Sequence, residues 1–468
     1  MKIGWGSKSP LFYIYLIGGI ILFVLCIIYV IIPNFMIDLF PGKFRSDIYK
    51  GRIKIEYWEK WSGIEAEAMQ KVVDSFNQSQ DRIWVVKQTI SDVGPRFLVS
   101  VAGNTAPDIA AIWTSEIPPF SEKGALLPLD NLAEAFHITR DMYIPVFWDI
   151  GTYKGHLYAL PTAPSTLALH YNKRLFRKAG LDPERPPKTI QELDAIAEKL
   201  TEYDENGKIK VIGFTPSYPG WWSSTWPAWF GGKLWDGKET LTIISPENIK
   251  AFEWVQSYGK KFDVERLQTF QSGLSGNFAS PNNPFLTEQV AMEMQGVWMH
   301  NYISKYNPNL EWGAAPFPSA VSGLENVTLA DADILVIPSN CRHPREAFEF
   351  ISFVQQQKNM ELLCMGQKKF SPLKNVSKEF WENHPHPYIK LFYELAQSPN
   401  VFTYPKIPVW SEMNDEMNAA YTEIWLNKKS PEDALDIAQE RINKAWQKEI
   451  IKIKKREMKR KMGKVEID

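Results

Sequence analysis

The chain has 468 residues, more than one hydrophobic core usually supports, which favours two or three domains. Its 53 basic and 54 acidic residues give a formal net charge of −1, which argues against a nucleic-acid partner, since phosphate backbones are bound by concentrated positive charge. Aromatic residues are abundant, with 18 Trp, 18 Tyr and 26 Phe. This abundance indicates that some rings line a cleft, although core packing could absorb most of them.

The N-terminal region contains an uncharged, predominantly apolar run at residues 11–32. A helix of this length reaches about 33 Å, enough to cross the hydrocarbon core of a bilayer. Bulky residues precede Cys26 and no small-x-small cleavage site follows, so we predict an uncleaved anchor rather than a secretory or lipoprotein signal. The alternative is a precursor with its signal still attached. The anchor would separate a cytoplasmic N-terminus (1–10) from a tether (33–50), although the basic residues after the run favour the reverse orientation by charge alone.

Beyond the tether, strand and helix patterns alternate. Residues 53–57 and 83–90 are predicted as strands, and the apolar spacing between 69 and 76 is typical of an amphipathic helix. A short apolar run at 109–113 predicts a buried strand. This order of elements predicts an α/β fold with a layered sheet.

The second half of the chain continues the alternation. Further strands are predicted at 167–171, 211–214, 291–294 and 334–337. The last segment, 451–468, is a basic tail. It indicates either contact with an anionic envelope surface or, more simply, a solvated terminal helix. Cys341 and Cys364 are predicted to be free and buried, because a chain of this size needs no disulfide framework.

Motifs that carry chemistry are missing from the sequence. It has no phosphate-binding Gly-x-x-x-x-Gly-Lys loop, no Gly-x-Ser-x-Gly elbow, no His-Glu-x-x-His and no paired Cys-x-x-Cys. We therefore predict neither a metal nor a cofactor. Two of the 54 acidic residues could still meet in a cleft as a glycosidase pair, but no motif singles them out. The sequence favours binding over catalysis.

Several short motifs occur in an order that is typical of one family. They are VDSFN (73–77), APDI (106–109), GALLPLD (124–130), YALP (158–161), LHYNKRLF (169–176), AGL (179–181), PKT (187–189), AMEMQGVW (291–298) and PREAFEF (344–350). In this order they resemble the extracellular solute-binding proteins of ABC importers, in the family that includes the maltose- and oligosaccharide-binding members. The resemblance covers residues 51–450.

The resemblance implies a two-lobed periplasmic-binding-protein-like fold, with a hinge and a ligand cleft between the lobes. Lobe 1 would comprise 51–163 and 334–385, and lobe 2 would comprise 166–330 and 390–450. The chain would cross between lobes near Pro164 and Asp331, and ligand would stabilise the closed form. The implied partners are a carbohydrate and the permease subunits of an ABC transporter, bound by a monomer without enzymatic activity.

A sugar needs aromatic planes for its C–H faces and polar groups for its hydroxyls. Ligands in open α/β sheets lie beyond the carboxyl ends of strands, a rule that selects Trp58, Glu59, Trp61, Trp113, Ser115 and Glu116. The resemblance adds Ser165, Thr166, Trp221, Trp222, Trp226, Trp298, Asp331, Asp333 and Trp410. Core packing is the alternative for Trp113 and for part of the tryptophan cluster, and turn formation is the alternative for the two aspartates.

Other functions remain open at this point. The solute could be a peptide, a polyamine or a phosphorylated glycerol, but a phosphate is best held by arginines, and the candidate loops contain none. The chain could also be a membrane-tethered polysaccharide-active enzyme, or a sensor that reports a ligand to a membrane partner.

Overall fold

A computed structural model describes residues 51–274 and 276–465. The predicted N-terminus, anchor and tether lie outside these ranges. Within them, no helix has both the length and the apolar character that a bilayer span requires. A small unit is formed by residues 51–54 and 79–84. There the backbone N–H of Ile53 donates to the carbonyl of Arg82 at 2.8 Å, and the Arg52 guanidinium lies 5.2 Å from the centre of the Trp84 ring.

The larger unit, residues 55–78 and 85–465, is built around one eight-stranded sheet. The strands of the chain are β1 (Ile53–Glu59), β2 (Ile83–Thr89), β3 (Ile109–Ile112), β4 (Thr152–Tyr153), β5 (His156–Leu157), β6 (Ala159–Asn172), β7 (Glu202–Tyr203), β8 (Ile209–Val211), β9 (Met292–Gly296), β10 (Trp312–Ala315), β11 (Thr328–Val336) and β12 (Val401–Phe402). The main sheet has the order β10-β6-β11-β3-β1-β2, with β9 beside β6 and β12 beside β11. Strands β4 and β5 form one separate pair, and β7 and β8 form another.

Helices cover both faces of this sheet, as expected for an α/β fold. They are α1 (Gly63–Ser79), α2 (Val93–Ala102), α3 (Ile117–Glu122), α4 (Asp130–Ala135), α5 (Pro145–Ile150), α6 (Lys173–Lys178), α7 (Ile190–Leu200), α8 (Pro246–Phe262), α9 (Val264–Ser272), α10 (Met299–Tyr306), α11 (Pro344–Val354), α12 (Gln357–Gln367), α13 (Lys378–Glu382), α14 (Ile389–Ala396), α15 (Trp410–Trp425) and α16 (Pro431–Val465). Capping side chains mark the start of several of these helices. The Thr189 side chain accepts from the N–H of Glu192 at the start of α7, and Ser245 does the same for Asn248 in α8.

Two hydrophobic cores define two lobes within the larger unit. One core contains Phe97, Phe147 and Phe370. The other contains Trp229 and Phe252 and extends to the buried face of α16. The α/β two-lobed fold is therefore confirmed for the described residues.

Strands β6 and β11 run from one lobe into the other. They pair antiparallel, with Ala159 opposite Val336 at one end and Thr166 opposite Ala330 at the other. Beyond that point β6 pairs with β9 and β10 of lobe 2, while the far end of β11 pairs with β3 of lobe 1. The predicted crossing residue Pro164 lies opposite Ala332, beside Asp331.

The described part of the predicted basic tail continues α16 as a helix. Arg456 contacts the carboxylates of Glu122 at 2.9 Å and Glu449 at 3.4 Å, and Lys454 contacts Glu239 at 3.0 Å. These basic side chains are therefore partly neutralised by acids of the fold itself.

Candidate ligand-binding site

A cavity of about 550 Å³ opens beside the crossing strands β6 and β11, and residues of both lobes line it. A cavity of this size is typical of small-molecule sites. Its lining comprises Trp61, Ser62, Glu65, Trp113, Ala163, Ser165, Leu167, Trp221, Trp222, Phe278, Trp298, Tyr302, Leu329, Asp331, Ala332, Asp333, Lys369 and Tyr404.

Lobe 1 contributes two indole rings that follow strands β1 and β3. The rings of Trp61 and Trp113 lie 5.3 Å apart at 88°, an edge-to-face contact that aromatic pairs favour. Trp113 is 43 % exposed. An aromatic side chain this exposed, on the wall of a cavity, is available to a ligand.

Lobe 2 contributes a larger aromatic wall. Trp221 packs against Phe278 at 4.5 Å between ring centres, and Phe278 packs against Tyr302 at 5.1 Å. Trp222 lies 6.3 Å from Trp298, and its indole N–H donates to the carbonyl of Met294 at 2.9 Å. These contacts hold the aromatic rings in place at the cavity wall.

A glycine explains how Trp298 reaches this wall. Strand β9 ends at Gly296, and a Cβ built on that residue would lie 2.1 Å from the Trp298 ring. Any side chain at 296 would therefore displace the indole. The Gly-x-Trp spacing is a packing requirement, because the ring folds back over the glycine.

A buried charge network underlies the lobe 1 wall. The carboxylate of Asp333 contacts the ammonium groups of Lys60 at 3.0 Å and Lys369 at 3.2 Å, and it accepts from the Trp61 indole N–H at 2.7 Å. Burial alone would raise the pKa of Asp333, but the two lysines hold it below its usual value. The network therefore fixes the orientation of Trp61 through its indole N–H.

Lys60 also supports the second indole. Its ammonium lies 4.0 Å from the centre of the Trp113 ring and donates to the carbonyl of Ile112 at 3.0 Å. A cation over an indole face is attractive, and more so when both groups are shielded from water. Lys60 therefore positions Trp113 without lining the cavity itself.

Asp331 is the second carboxylate at the crossing. It accepts from the Thr114 hydroxyl at 2.6 Å and from the N–H of Ala332 at 2.9 Å. Burial raises its pKa. With Asp333 paired to lysines and Asp331 paired to neutral donors, the two carboxylates on β11 have different environments.

The structure brings eight of the fifteen predicted site residues to this cavity. They are Trp61, Trp113, Ser165, Trp221, Trp222, Trp298, Asp331 and Asp333. Asp331 and Asp333 do more than form a turn, since both side chains have the hydrogen-bond or ion-pair partners described above.

Four predicted residues near β1 and β3 do not line the cavity. Trp58 packs against the lobe 1 core. Glu59 is buried beneath the site, where it accepts from the Tyr57 hydroxyl and from the N–H of Trp61 at 3.1 Å. Glu116 covers Gly94 and accepts from the N–H of Trp113 at 2.8 Å. Ser115 borders a small separate space beside Tyr404.

Three further predicted residues are also placed elsewhere. The Thr166 hydroxyl donates to the carbonyl of Phe392 at 2.9 Å, so it joins β6 to α14. Trp226 is only 1 % exposed and packs in the lobe 2 core. Trp410 belongs to the same core and faces a second cavity. Burial of large rings in the core accounts for both tryptophans.

Six residues at or directly beneath the cavity wall were not predicted from the sequence. They are Lys60, Glu65, Phe278, Tyr302, Lys369 and Tyr404. Glu65 lies in the first turn of α1 and Tyr302 in α10, so a rule that selects loops after strands passes over both. Lys369 follows α12, and only the fold brings it to Asp333. The abundance of aromatic residues was the one signal that could have suggested Phe278 and Tyr404.

The fold defines a two-lobed protein with a cavity at the crossing between the lobes. A family model described as bacterial extracellular solute-binding protein matches residues 71–388, and the chain belongs to that family. The predicted family is thus confirmed, and this is a binding protein rather than an enzyme.

Individual relatives are distant but match most of the chain. The sn-glycerol-3-phosphate-binding periplasmic protein UgpB of Pectobacterium atrosepticum is 24% identical over 83% of this chain and 90% of its own length. The maltotriose-binding protein of Pyrococcus abyssi is 26% identical over 58% of this chain and 55% of its own length. Among solved structures, CpMnBP1 with mannotriose bound has a TM-score of 0.73 and 28% identity, covering 83% of this chain and 99% of that one.

Proposed function

We propose that this chain captures a sugar or an oligosaccharide between its two lobes and delivers it to the permease of an ABC transporter. The observation that carries the proposal is the wall of aromatic rings, from both lobes, around a cavity that also contains carboxylates. Stacked rings cover the apolar faces of a sugar, and polar groups satisfy its hydroxyls.

The residues have complementary roles in this proposal. Trp61 and Trp113 would contact the sugar from lobe 1, and Trp221 and Trp298 would contact it from lobe 2. Hydroxyl partners would come from polar lining residues, among them Ser62, Glu65, Ser165, Asp331 and Asp333. A hydroxyl left without a partner costs about 1–3 kcal/mol, so these polar groups would select among sugars.

A phosphorylated solute is the main alternative, because one relative is named for binding sn-glycerol-3-phosphate. Among the described residues that line the cavity, none is an arginine. Its lysine, Lys369, is already paired with Asp333. An anionic phosphate would therefore lack the bidentate partner that it binds best. A solved relative with mannotriose bound and a relative named for binding maltotriose support a neutral carbohydrate instead.

The remaining assignments extend the same proposal. Residues 11–32 would anchor the chain in the membrane as a monomer, with the binding unit outside the cell and residues 33–50 as its tether. Lobe 1 would comprise 51–163 and 334–385, and lobe 2 would comprise 166–330 and 390–450. The course of β6 and β11 supports the crossing between the lobes, because both strands pair with partners in each lobe. Helix α14 departs from this division, because Ile389, Phe392 and Leu395 pack in the lobe 1 core.

The experiment is thermal unfolding of the full chain in detergent, with a library of mono- and oligosaccharides and with sn-glycerol 3-phosphate. A ligand at a hundred times its dissociation constant adds about 2.7 kcal/mol and should raise the Tm by a few degrees. We expect a shift with one family of sugars, and the sugar should be recovered unchanged. A shift with sn-glycerol 3-phosphate alone would mean that the solute is this phosphate and not a sugar. Recovery of a cleaved sugar would indicate an enzyme.

Trp298→Ala tests the assignment of the cavity. Loss of a stacked ring should weaken sugar binding about tenfold or more, because the indole supplies contact area that alanine cannot replace. Isothermal titration of the variant against the sugar found in the library gives the affinity. Leu362→Ala, at a residue 42 % exposed and outside the cavity lining, is the matched control. Equal affinity in both variants would place the site elsewhere.

A further inference from the structure

The last turns of helix α16 carry a stripe of exposed side chains that the proposed function does not use. Residues three, four and seven positions apart share one face of an α-helix. Lys448, Ile451, Lys452, Lys455 and Met458 follow this spacing, and all five are exposed. These five residues, here called the outer stripe, therefore form one continuous surface that combines basic and apolar side chains.

The opposite face of the same turns is fixed to the fold. The indole N–H of Trp446 donates to the carbonyl of Glu239 at 2.7 Å, and Ile450 is buried in the lobe 2 core. One turn beyond Ile450, the guanidinium of Arg456 contacts the carboxylate of Glu122 at 2.9 Å. These contacts fix the rotation of the helix about its own axis. The outer stripe is thereby held facing away from the described fold.

The charge of the outer stripe is mostly uncompensated. Lys452 pairs with Glu449 at 2.9 Å, but its side chain is still 61% exposed. Within the described part of the chain, no carboxylate forms an ion pair with Lys448 or Lys455. The sequence continues with four basic residues and no acidic one at 459–464. The surface is therefore suited to an anionic partner.

The apolar members of the stripe distinguish between anionic partners. Ile451 is 53% exposed and Met458 is 55% exposed, and they lie two turns apart on the same face. A soluble polyanion would satisfy the lysines but would leave both apolar side chains in water. An anionic bilayer offers phosphate groups to the lysines and, just beneath them, an apolar layer that takes up side chains such as these.

We propose that the outer stripe of α16 lies on the surface of an anionic phospholipid bilayer, with its lysines among the headgroups and with Ile451 and Met458 inserted between them. This contact would restrain the two lobes at the membrane surface whichever solute they bind. The inference goes beyond the proposed function and does not depend on it.

The test places the full chain in lipid nanodiscs made either of phosphatidylcholine alone or of phosphatidylcholine and phosphatidylglycerol in equal parts. Hydrogen exchange of the amides between residues 447 and 458 is followed by mass spectrometry. We expect exchange to be about tenfold slower in the discs with phosphatidylglycerol, because docking suppresses opening of the helix end. Salt at about 0.5 M should remove most of this difference, since it screens the lysines from the headgroups.

Replacing all three lysines of the stripe by glutamine should abolish the lipid-dependent slowing. The matched control removes the same charge elsewhere: Lys71→Gln, Lys250→Gln and Lys358→Gln together, at exposed positions of α1, α8 and α12, should keep it. Equal exchange of the wild type in the two kinds of disc would overturn the inference. A lysine variant that keeps the slowing would overturn it as well.

The apolar contribution is tested separately. Ile451→Ser combined with Met458→Ser should reduce the slowing to less than half, because serine gains little from leaving water. Slowing that survives these serine substitutions but not the glutamine ones would identify a surface for polyanions and rule out the bilayer as its occupant. Thermal unfolding shows whether each variant is folded. Sugar binding is measured independently of these outcomes, so the proposed function stands or falls on its own test.

Discussion

Asp333 joins side chains from two other segments of the chain: Lys60 and Trp61 from one, and Lys369 from the other. The side chains of both lysines are at most 5% exposed. A buried ammonium that loses its counter-ion is costly, because the low-dielectric interior cannot solvate the charge. Asp333 thus links the stability of lobe 1 to the orientation of the aromatic wall.

We therefore expect Asp333→Asn to lower the free energy of unfolding by about 3–5 kcal/mol, because it leaves two lysines without their shared partner. Lys60→Met should cost less, since Asp333 keeps Lys369. Urea unfolding of the full chain measures both changes. Asp436→Asn, at an exposed position on α16, is the control. A cost for Asp333→Asn no larger than that of the control would show that the network contributes nothing to stability.

At the scale of single elements, strand β9 has two buried faces of different chemical character. Met292 and Met294 point into the lobe 2 core, while Glu293 and Gln295 occupy the opposite, equally buried face. Glu293 lies opposite His170 of β6. Burial raises the pKa of Glu293 to about 8, despite the opposing effect of Gln295. Glu293 is therefore protonated in the folded chain at neutral pH.

Glu293 of this strand makes the stability of the folded chain depend on pH. Above its ordinary pKa of 4.5 the glutamate ionises in the unfolded chain but stays protonated in the folded one until about 8, so its contribution to stability falls as pH rises through that window. Glutamine does not titrate. We expect Glu293→Gln to have a Tm several degrees above wild type at pH 8, with the difference shrinking toward pH 5. Glu394→Gln, on the exposed face of α14, is the control, and a pH-independent difference would contradict the assignment.

Buried histidines make stability change with pH in the opposite direction below pH 6.5. Burial lowers the pKa of His170 to about 3 and those of His300 and His384 to about 4. Below their ordinary value of 6.5 they take up protons more readily in the unfolded chain, so stability is lost as pH falls from 6.5 toward 4. We expect Glu293→Gln to show this loss more steeply than wild type, because the opposing glutamate is gone. Thermal unfolding between pH 4 and 7 measures the two slopes, and parallel curves would be the contrary result.

At the scale of the whole molecule, the proposed function requires the lobes to close on ligand. Trp113 of lobe 1 and Trp221 of lobe 2 are 43% and 47% exposed, and both line the cavity. Closure of two lobes around a ligand is a hinge motion that removes such surface from water. The crossing strands β6 and β11 are where that motion would be accommodated.

We expect saturating sugar to shift the tryptophan emission of the full chain to shorter wavelength, since both indoles leave water. Trp113→Phe combined with Trp221→Phe should lose most of the shift while keeping measurable sugar affinity, because phenylalanine still stacks. Fluorescence titration reports the shift and the affinity together. A shift that is unchanged in the double variant would mean that these two residues do not report closure.

The sequence by itself determined the α/β class, the family and the positions of many elements, because these depend on local alternation, capping residues and ordered motifs. It also indicated Trp61 and Trp113, which follow strands directly, and Trp298, which the family resemblance added. Tertiary structure alone decided which of the other tryptophans line the cavity: Trp221 does, whereas Trp226, five residues later, is buried in the core. It alone brought Lys60 and Lys369 to Asp333. The physical reason is that a cavity wall is formed by segments far apart in the chain, and local patterns contain no information about which of them meet.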